Sequence, residues 1–284
     1  MTEDSGRGPA ERGTVRQAEN GDSPPEARVG HSPVQSPFCG NVPVVSLRAV
    51  TVSVRAHITL RDVSLDVGHG DFCGIIGPNG AGKTTLLTVI NGLGRIHSGT
   101  VSILGEPGTH ANFGRLRRRI GYVSQQERVD PRAPISCLEA VLVGACGRVG
   151  LFRRLTARDR ERARAMMELT RTSHLAGRPV GQLSGGEARK IALARALVQE
   201  PEIMLLDEPT SNLDPRAVRE LGELVVDAYR RFSLTVVMVT HQLDHLPPVA
   251  NRIVMVRNGR ITYTGDRTAL ADRSLITALF ADAA

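Results

Sequence analysis

The run Gly77-Pro78-Asn79-Gly80-Ala81-Gly82-Lys83-Thr84-Thr85 has the spacing of a polyphosphate cradle. Glycine tolerates backbone angles that a Cβ forbids, so Gly77, Gly80 and Gly82 let N–H groups turn inward around an anion. A helix starting near Lys83 adds its own unpaired N–H groups and the positive end of its dipole. Lys83 supplies a charge for the β- and γ-phosphates, and Thr84 a hydroxyl for Mg²⁺. Asp207 and Glu208 close an apolar run. The first carboxylate suits a Mg²⁺ ion opposite Thr84, and the second a general base or a group that orients water for attack on the γ-phosphate. His241 closes a second apolar run. Leu183-Ser184-Gly185-Gly186-Glu187 is a further anion site, with a serine N-cap, glycines at a helix start and Glu187 at capping-box spacing.

These groups need elements to place them. Gly74-Ile75-Ile76 reads as a strand entering the glycine run, and residues 84–93 as a helix stopped by Gly92 and Gly94. Residues 203–208 and 234–241 are continuous apolar runs with polar ends, as buried parallel strands are. Strands alternating with helices predict an α/β fold with a mainly parallel sheet. Ligands of such sheets sit beyond the carboxyl ends of the strands, where the glycine run, Asp207-Glu208 and His241 all fall. Upstream, 44–48, 50–54, 58–60 and 63–67 read as short antiparallel strands. A strand is expected over 99–105, a basic helix around 116–119, and a strand over 120–126 ending in glutamines. Helices are expected over 136–143 and 158–169, the latter as a solvated charged face. A helix over 188–199 follows the Ser184 cap, and another follows Pro215. Strands over 253–256 and 260–264 flank an Asn258-Gly259 turn, and 268–280 reads as a helix. Residues 1–43, rich in Gly, Pro, Ser, Glu and Arg, read as a disordered tail with too little apolar surface to offset its ordering entropy.

Composition narrows the function. The 284 residues are 41% hydrophobic but only 3% aromatic, with no tryptophan, so the core must be aliphatic. A net charge of +7 suits nucleic acid, an anionic membrane surface or nucleotide phosphates, and its spread along the chain does not choose among them. Cys39, Cys73, Cys137 and Cys146 form no C-x-x-C pair, which argues against structural metal and for reduced thiols in a cytoplasmic protein. No apolar run reaches the roughly 18–20 residues that span a bilayer. The polar, acidic start lacks the apolar region of a signal peptide. Any membrane role goes through a partner.

Taken in order, these motifs resemble the ATP-binding subunits of ABC transporters over about residues 46–265. Gly77 to Thr84 resembles Walker A, Gln125 the glutamine loop, Leu183 to Glu187 the signature, Ile203 to Glu208 Walker B, Ser211-Asn212-Leu213-Asp214 the D-loop and His241 the switch histidine. The resemblance implies a P-loop NTPase (RecA-like) fold in which 44–284 form one ATPase domain, with a helical subdomain at about 127–182. It implies an ATP-sandwich dimer, each nucleotide lying between Walker A of one copy and Ser184, Gly185 and Gly186 of the other. It also implies that Gln125 touches Mg²⁺ or the attacking water and that His241 contacts the γ-phosphate. Val54 stands where an aromatic usually stacks on adenine, leaving Arg55 or His57 to meet the base. Ser124 replaces a common proline, and Gln125-Gln126 offers two candidates for the loop glutamine.

Residues 120–144 are similar to ATPase subunits of importers for manganese, zinc or iron. The implied partners are transmembrane permease subunits, a second ATPase copy and, indirectly, a substrate-binding protein, with this chain peripheral at the cytoplasmic face of the membrane. An exporter subunit is the alternative among transporters. A soluble ABC ATPase acting on nucleic acid or ribosomes would need a coiled-coil insertion or a second cassette, and the interval from Gln125 to Leu183 holds neither. A small-molecule kinase is disfavoured by the signature, and a regulator without turnover by Glu208.

Overall fold

The computed structural model describes residues 42–54, 57–125, 134–149 and 154–281, all within one compact unit, Ser36–Ala284. Nearly all of the expected tail, with Cys39, Arg55, Gln126 and Pro131, lies outside the described residues.

The central sheet contains β3 (Phe72–Ile76), β6 (Ile120–Val123), β7 (Ile203–Asp207), β8 (Thr235–Thr240), β9 (Arg252–Arg257) and β10 (Arg260–Gly265). Their order is β10-β9-β3-β8-β7-β6, parallel except for β10 against β9. Every residue of β3, β7 and β8 is buried, which explains their unbroken apolar sequences. Asn258 and Gly259, both at positive φ (50° and 74°), join β9 to β10 in the geometry that suits a tight hairpin. After β3 the chain first reaches the edge strand β6, then returns through β7 and β8 to β3's side. Ile76 pairs with Thr240, and Asp207 with Val239, so the carboxyl ends of β3, β8 and β7 stand side by side.

The second sheet, in order β2-β1-β4-β5, is antiparallel: β1 (Val45–Val54), β2 (His57–Val67), β4 (Ile96–Ile103) and β5 (Glu106–Pro107). The four short strands expected upstream are two long ones. Ala49 and Asp62, at φ of 50° and 52°, put register shifts into strands that otherwise continue. The main apolar cluster includes Leu47, Leu60, Ile75, Leu87 and Ile103, from both sheets and α1 (Lys83–Ile90). α1 ends at Ile90, just before Gly92, one of its two expected stops, which turns at φ 68° where a Cβ would lie 2.1 Å from the Phe113 ring.

The remaining helices are α2 (His110–Leu116), α3 (Cys137–Val149), α4 (Ala157–Leu169), α5 (Gly185–Leu197), α6 (Pro215–Phe232) and α7 (Arg273–Phe280). The arginines expected in a helix form a 3-10 turn, Arg117–Arg119, after α2. α5 begins three residues earlier than expected, because the reciprocal bonds of Ser184 and Glu187 draw both glycines into its first turn. The expected 268–280 helix is a 3-10 turn followed by α7, each capped by its own aspartate, Asp266 and Asp272. α4 is not merely a solvated face. Ala163 and Met167 join Cys137, Val141, Ile191 and Ala194 in an apolar cluster shared by α3, α4 and α5. Ion pairs from Arg148 to Asp159 and from Arg162 to Glu200 tie the charged side of α4 to its neighbours.

α3 and α5 touch through Gly144, where a Cβ would lie 2.0 Å from the carbonyl oxygen of Arg195. Backbone cannot yield as a side-chain tip can. Gly144→Ala is therefore expected to destabilise the protein by about 2 kcal/mol, read as a lower urea midpoint at unchanged m-value. An unchanged midpoint would show that the helix pair shifts freely.

Candidate active site

The glycine-rich loop after β3 carries glycines that its surroundings demand. A Cβ on Gly77 would lie 2.1 Å from the carbonyl oxygen of Val256, and Gly80 and Gly82 have φ of 78° and 102°. Ala81 donates to the Pro78 carbonyl at 3.2 Å, and Gly259 donates to the Ala81 carbonyl at 3.0 Å, so the hairpin turn braces the loop. Gly82 caps α1 without a side-chain acceptor, and the first turn of α1 has no acidic residue, leaving its N–H groups available to an anion. Asn79 and Gly80 are exposed, while Pro78 and Thr85 are half-buried. Pro78 to Ala81, His241, Asn258 and Phe280 line a cavity of about 380 Å³ beside the loop.

Lys83 is 5% exposed, and its Nζ donates to the carbonyls of Gly77 and Pro78, each at 2.9 Å. It also lies 3.6 Å from Glu208 Oε1. Burial pulls its pKa down, and the Glu208 charge opposes that. Thr84 donates to Asp207 Oδ1 at 3.0 Å, and Tyr122 to Asp207 Oδ2 at 3.2 Å. Asp207 is 2% exposed, and burial raises its carboxyl pKa against the hydrogen bonds of Thr84 and Tyr122.

Glu208 gathers the rest. Its Oε2 accepts from Gln125 Nε2 at 2.9 Å, and its Oε1 lies 3.2 Å from His241 Nδ1. The His241 contact has the distance of a hydrogen bond without its geometry. Glu208 adopts φ 45°, and its N–H donates to the Val239 carbonyl at 3.0 Å. One ammonium thus faces two buried carboxylates. That negative excess, with carboxylate and hydroxyl oxygens as donors, fits a hard divalent cation. Among the described residues there is no group of three or more His, Cys, Asp or Glu that could cage a metal. A cation here would share its shell with phosphate oxygens, as Mg²⁺ commonly does.

Ser184, Gly185 and Gly186 stand apart from this group. Ser184 caps α5, and Cβ atoms on the glycines would meet Leu213 at 3.6 Å and Ala217 at 3.5 Å. Val54 closes β1, and His57 is exposed at the start of β2.

Two contributors escaped the sequence reading. Tyr122 was visible only as an aromatic in a strand. Arg189, two residues beyond the signature glutamate, donates to the carbonyls of Ser124 (2.8 Å) and Gln125 and so holds the backbone behind the Gln125 amide. Its only signal was a basic residue early in a helix.

A family model described as ABC transporter matches residues 60–211. This chain belongs to the ABC transporter family. It is an ATPase of that family with a P-loop NTPase fold. The manganese transport system ATP-binding protein MntB of Bacillus subtilis (strain 168) is 37% identical over 247 residues, 81% of this chain and 96% of that protein. The phosphonates import ATP-binding protein PhnC of Stutzerimonas stutzeri is 35% identical over 228 residues, 76% of this chain and 82% of that protein. A solved dimeric post-hydrolysis state of the ATP-binding cassette MJ0796, bound to ADP and Pi, has a TM-score of 0.70 at 28% identity, covering 78% of this chain and 98% of that one. No helix among the described residues of this ABC ATPase is long and apolar enough to cross a membrane.

Tyr122→Phe keeps the ring and removes the hydroxyl that orients Asp207. The divalent-cation concentration for half-maximal ATPase activity is expected to rise about tenfold, and the melting temperature to fall by a few degrees because buried Asp207 loses one partner. An unaltered cation requirement would show that Asp207 does not depend on that bond.

Proposed function

We propose that this chain is the ATP-hydrolysing subunit of an ABC importer, working as two copies with ATP between them. The observation that carries the reading is the convergence of Lys83, Gln125 and His241 on Glu208 at the end of a buried strand. In this reading the backbone from Gly77 to Thr85 cradles the phosphates, and Lys83 exchanges the Gly77 and Pro78 carbonyls for phosphate oxygens. Thr84, Asp207 and Gln125 would hold Mg²⁺, which when bound would offset phosphate charge. Glu208 takes a proton from water as the water oxygen bonds to the γ-phosphorus. The bond from that phosphorus to the bridging oxygen breaks, giving phosphate and ADP. His241 steadies the γ-phosphate.

The exposed N-terminus of α5 supports a role in trans for Ser184, Gly185 and Gly186, since in this protomer their neighbours are Leu213 and Ala217. Glu208→Gln is expected to cut turnover by at least about a hundredfold and to accumulate as a dimer with ATP in size exclusion. A monomer with ATP would count against the sandwich. Lys83→Ala and Ser184→Ala, each inactive alone, are expected to regain activity when mixed, because one composite site is then intact.

A cleft of about 330 Å³ between the end of α1, the Arg117–Arg119 turn, α3 and α5 supports docking of a permease segment. Tyr122 lines it and touches Asp207, so occupancy of the cleft can reach the site directly. Such docking would hold the chain peripherally at the cytoplasmic face of the membrane, with any substrate-binding protein reached through the permease. For cargo we favour a metal ion or metal chelate, supported by the likeness to MntB; phosphonate is the second reading, supported by PhnC at nearly equal identity. In the reconstituted transporter, manganese-loaded binding protein is expected to stimulate ATPase activity and phosphonate-loaded binding protein to leave it unchanged. The reverse would replace the metal reading.

A further inference from the structure

The loop after β8 touches the turn after β7 at a second point, four residues beyond His241. His245 Nδ1 lies 2.9 Å from Thr210 Oγ1. Thr210 is 3% exposed and sits in the turn formed by Glu208, Pro209, Thr210 and Ser211, which the Ser211 N–H closes on the Glu208 carbonyl at 3.1 Å. His245 ends a 3-10 turn, Leu243–His245, and its N–H donates to the Gln242 carbonyl at 3.2 Å. The next residue, Leu246, is buried over Gly74 of β3, where a Cβ would lie 2.6 Å from its side chain. At the other end, Thr240 Oγ1 both accepts from the Gln242 N–H and donates to its carbonyl. His241 therefore hangs on a short loop fixed before it by Thr240 and after it by His245 and Leu246. Burial, with His241 close by, pulls the His245 pKa below the usual histidine range, which favours a neutral ring whose Nδ1 can accept a hydrogen bond from the Thr210 hydroxyl.

We propose that Thr210 and His245 form a latch that sets the position of His241 over Glu208, making both of them positioning residues for hydrolysis. The physical ground is strain. Glu208 sits at φ 45°, and His241 approaches it without a hydrogen bond's geometry, so neither holds the other in place. A bond between the two loops does so from outside the reacting atoms. It also fixes the residue immediately before Ser211, where the segment leading to the cap of α6 at Asp214 begins. The inference rests on the reading of Glu208 and His241 as the hydrolytic pair.

The test compares Thr210→Val, Thr210→Ser, His245→Phe and His245→Asn, with Glu208→Gln alongside. Valine and phenylalanine keep the shapes and remove the bond, whereas serine keeps the hydroxyl and asparagine keeps a polar atom at the δ position. Thr210→Val and His245→Phe are expected to lower kcat about tenfold. Nucleotide Kd, measured by direct binding, and melting temperature should stay the same. Thr210→Ser and His245→Asn should retain kcat near wild type, and Thr210→Val/His245→Phe should be no slower than the worse single variant. Wild-type kcat in Thr210→Val, a serine variant as slow as the valine one, or additive losses in the double variant would each overturn the latch. If Glu208→Gln keeps full activity, the hydrolytic pair itself falls, a result separate from failure of the latch.

Discussion

Two carboxylates and one ammonium share a buried corner where three strands end. Asp207, Glu208 and Lys83 are 2%, 8% and 5% exposed. Charges so placed are costly unless each finds partners. The site can be read as the set of answers to that demand. Lys83 turns to two loop carbonyls and to Glu208, and Asp207 takes hydroxyl protons on both oxygens. Glu208 receives the Gln125 amide. The remaining negative excess fits the proposal that a divalent cation would enter the corner together with a phosphate chain. The same groups that stabilise the folded corner are thus the ones a nucleotide would rearrange.

Sheet topology is what brings them together. Because the chain runs out to the edge strand and returns, strands far apart in sequence end next to one another, as the pairings of Ile76 with Thr240 and of Asp207 with Val239 show. The turn after β7 is tight enough to force Glu208 to positive φ, and its N–H is satisfied across the sheet by Val239. Strain of this kind costs on the order of 1–3 kcal/mol and survives only in a well-braced setting. The bracing comes from buried neighbours on all sides.

α5 links the separate parts. Its N-terminus carries Ser184, its second turn holds the Gln125 backbone through Arg189, and its far end lies against Gly144 of α3 beside the cleft. A helix packed this closely moves as a unit. In the proposed reading, a segment docked in the cleft would therefore press on the helix that holds the Gln125 backbone and carries Ser184 at its start.

Much of this was legible in residue order alone. The glycines before Lys83, the unbroken apolar runs ending in Asp207-Glu208 and His241, and the capping box at Ser184 are local patterns whose physics acts within a few residues. Strand limits were less legible where long-range contacts overrode them. Ala49 and Asp62 bend strands that composition had divided. The charged sequence of α4 concealed Ala163 and Met167, which matter only once α3 and α5 lie beneath them. Tyr122, Arg189 and the Thr210–His245 contact carry no local signature, because each depends on a partner dozens of residues away. The sequence by itself determined that the chain cradles phosphate and offers carboxylates at strand ends, since backbone freedom and side-chain chemistry are properties of single residues. Which of those groups meet at 3 Å, and what holds them there, was decided by the order of strands in the sheet and the packing around it.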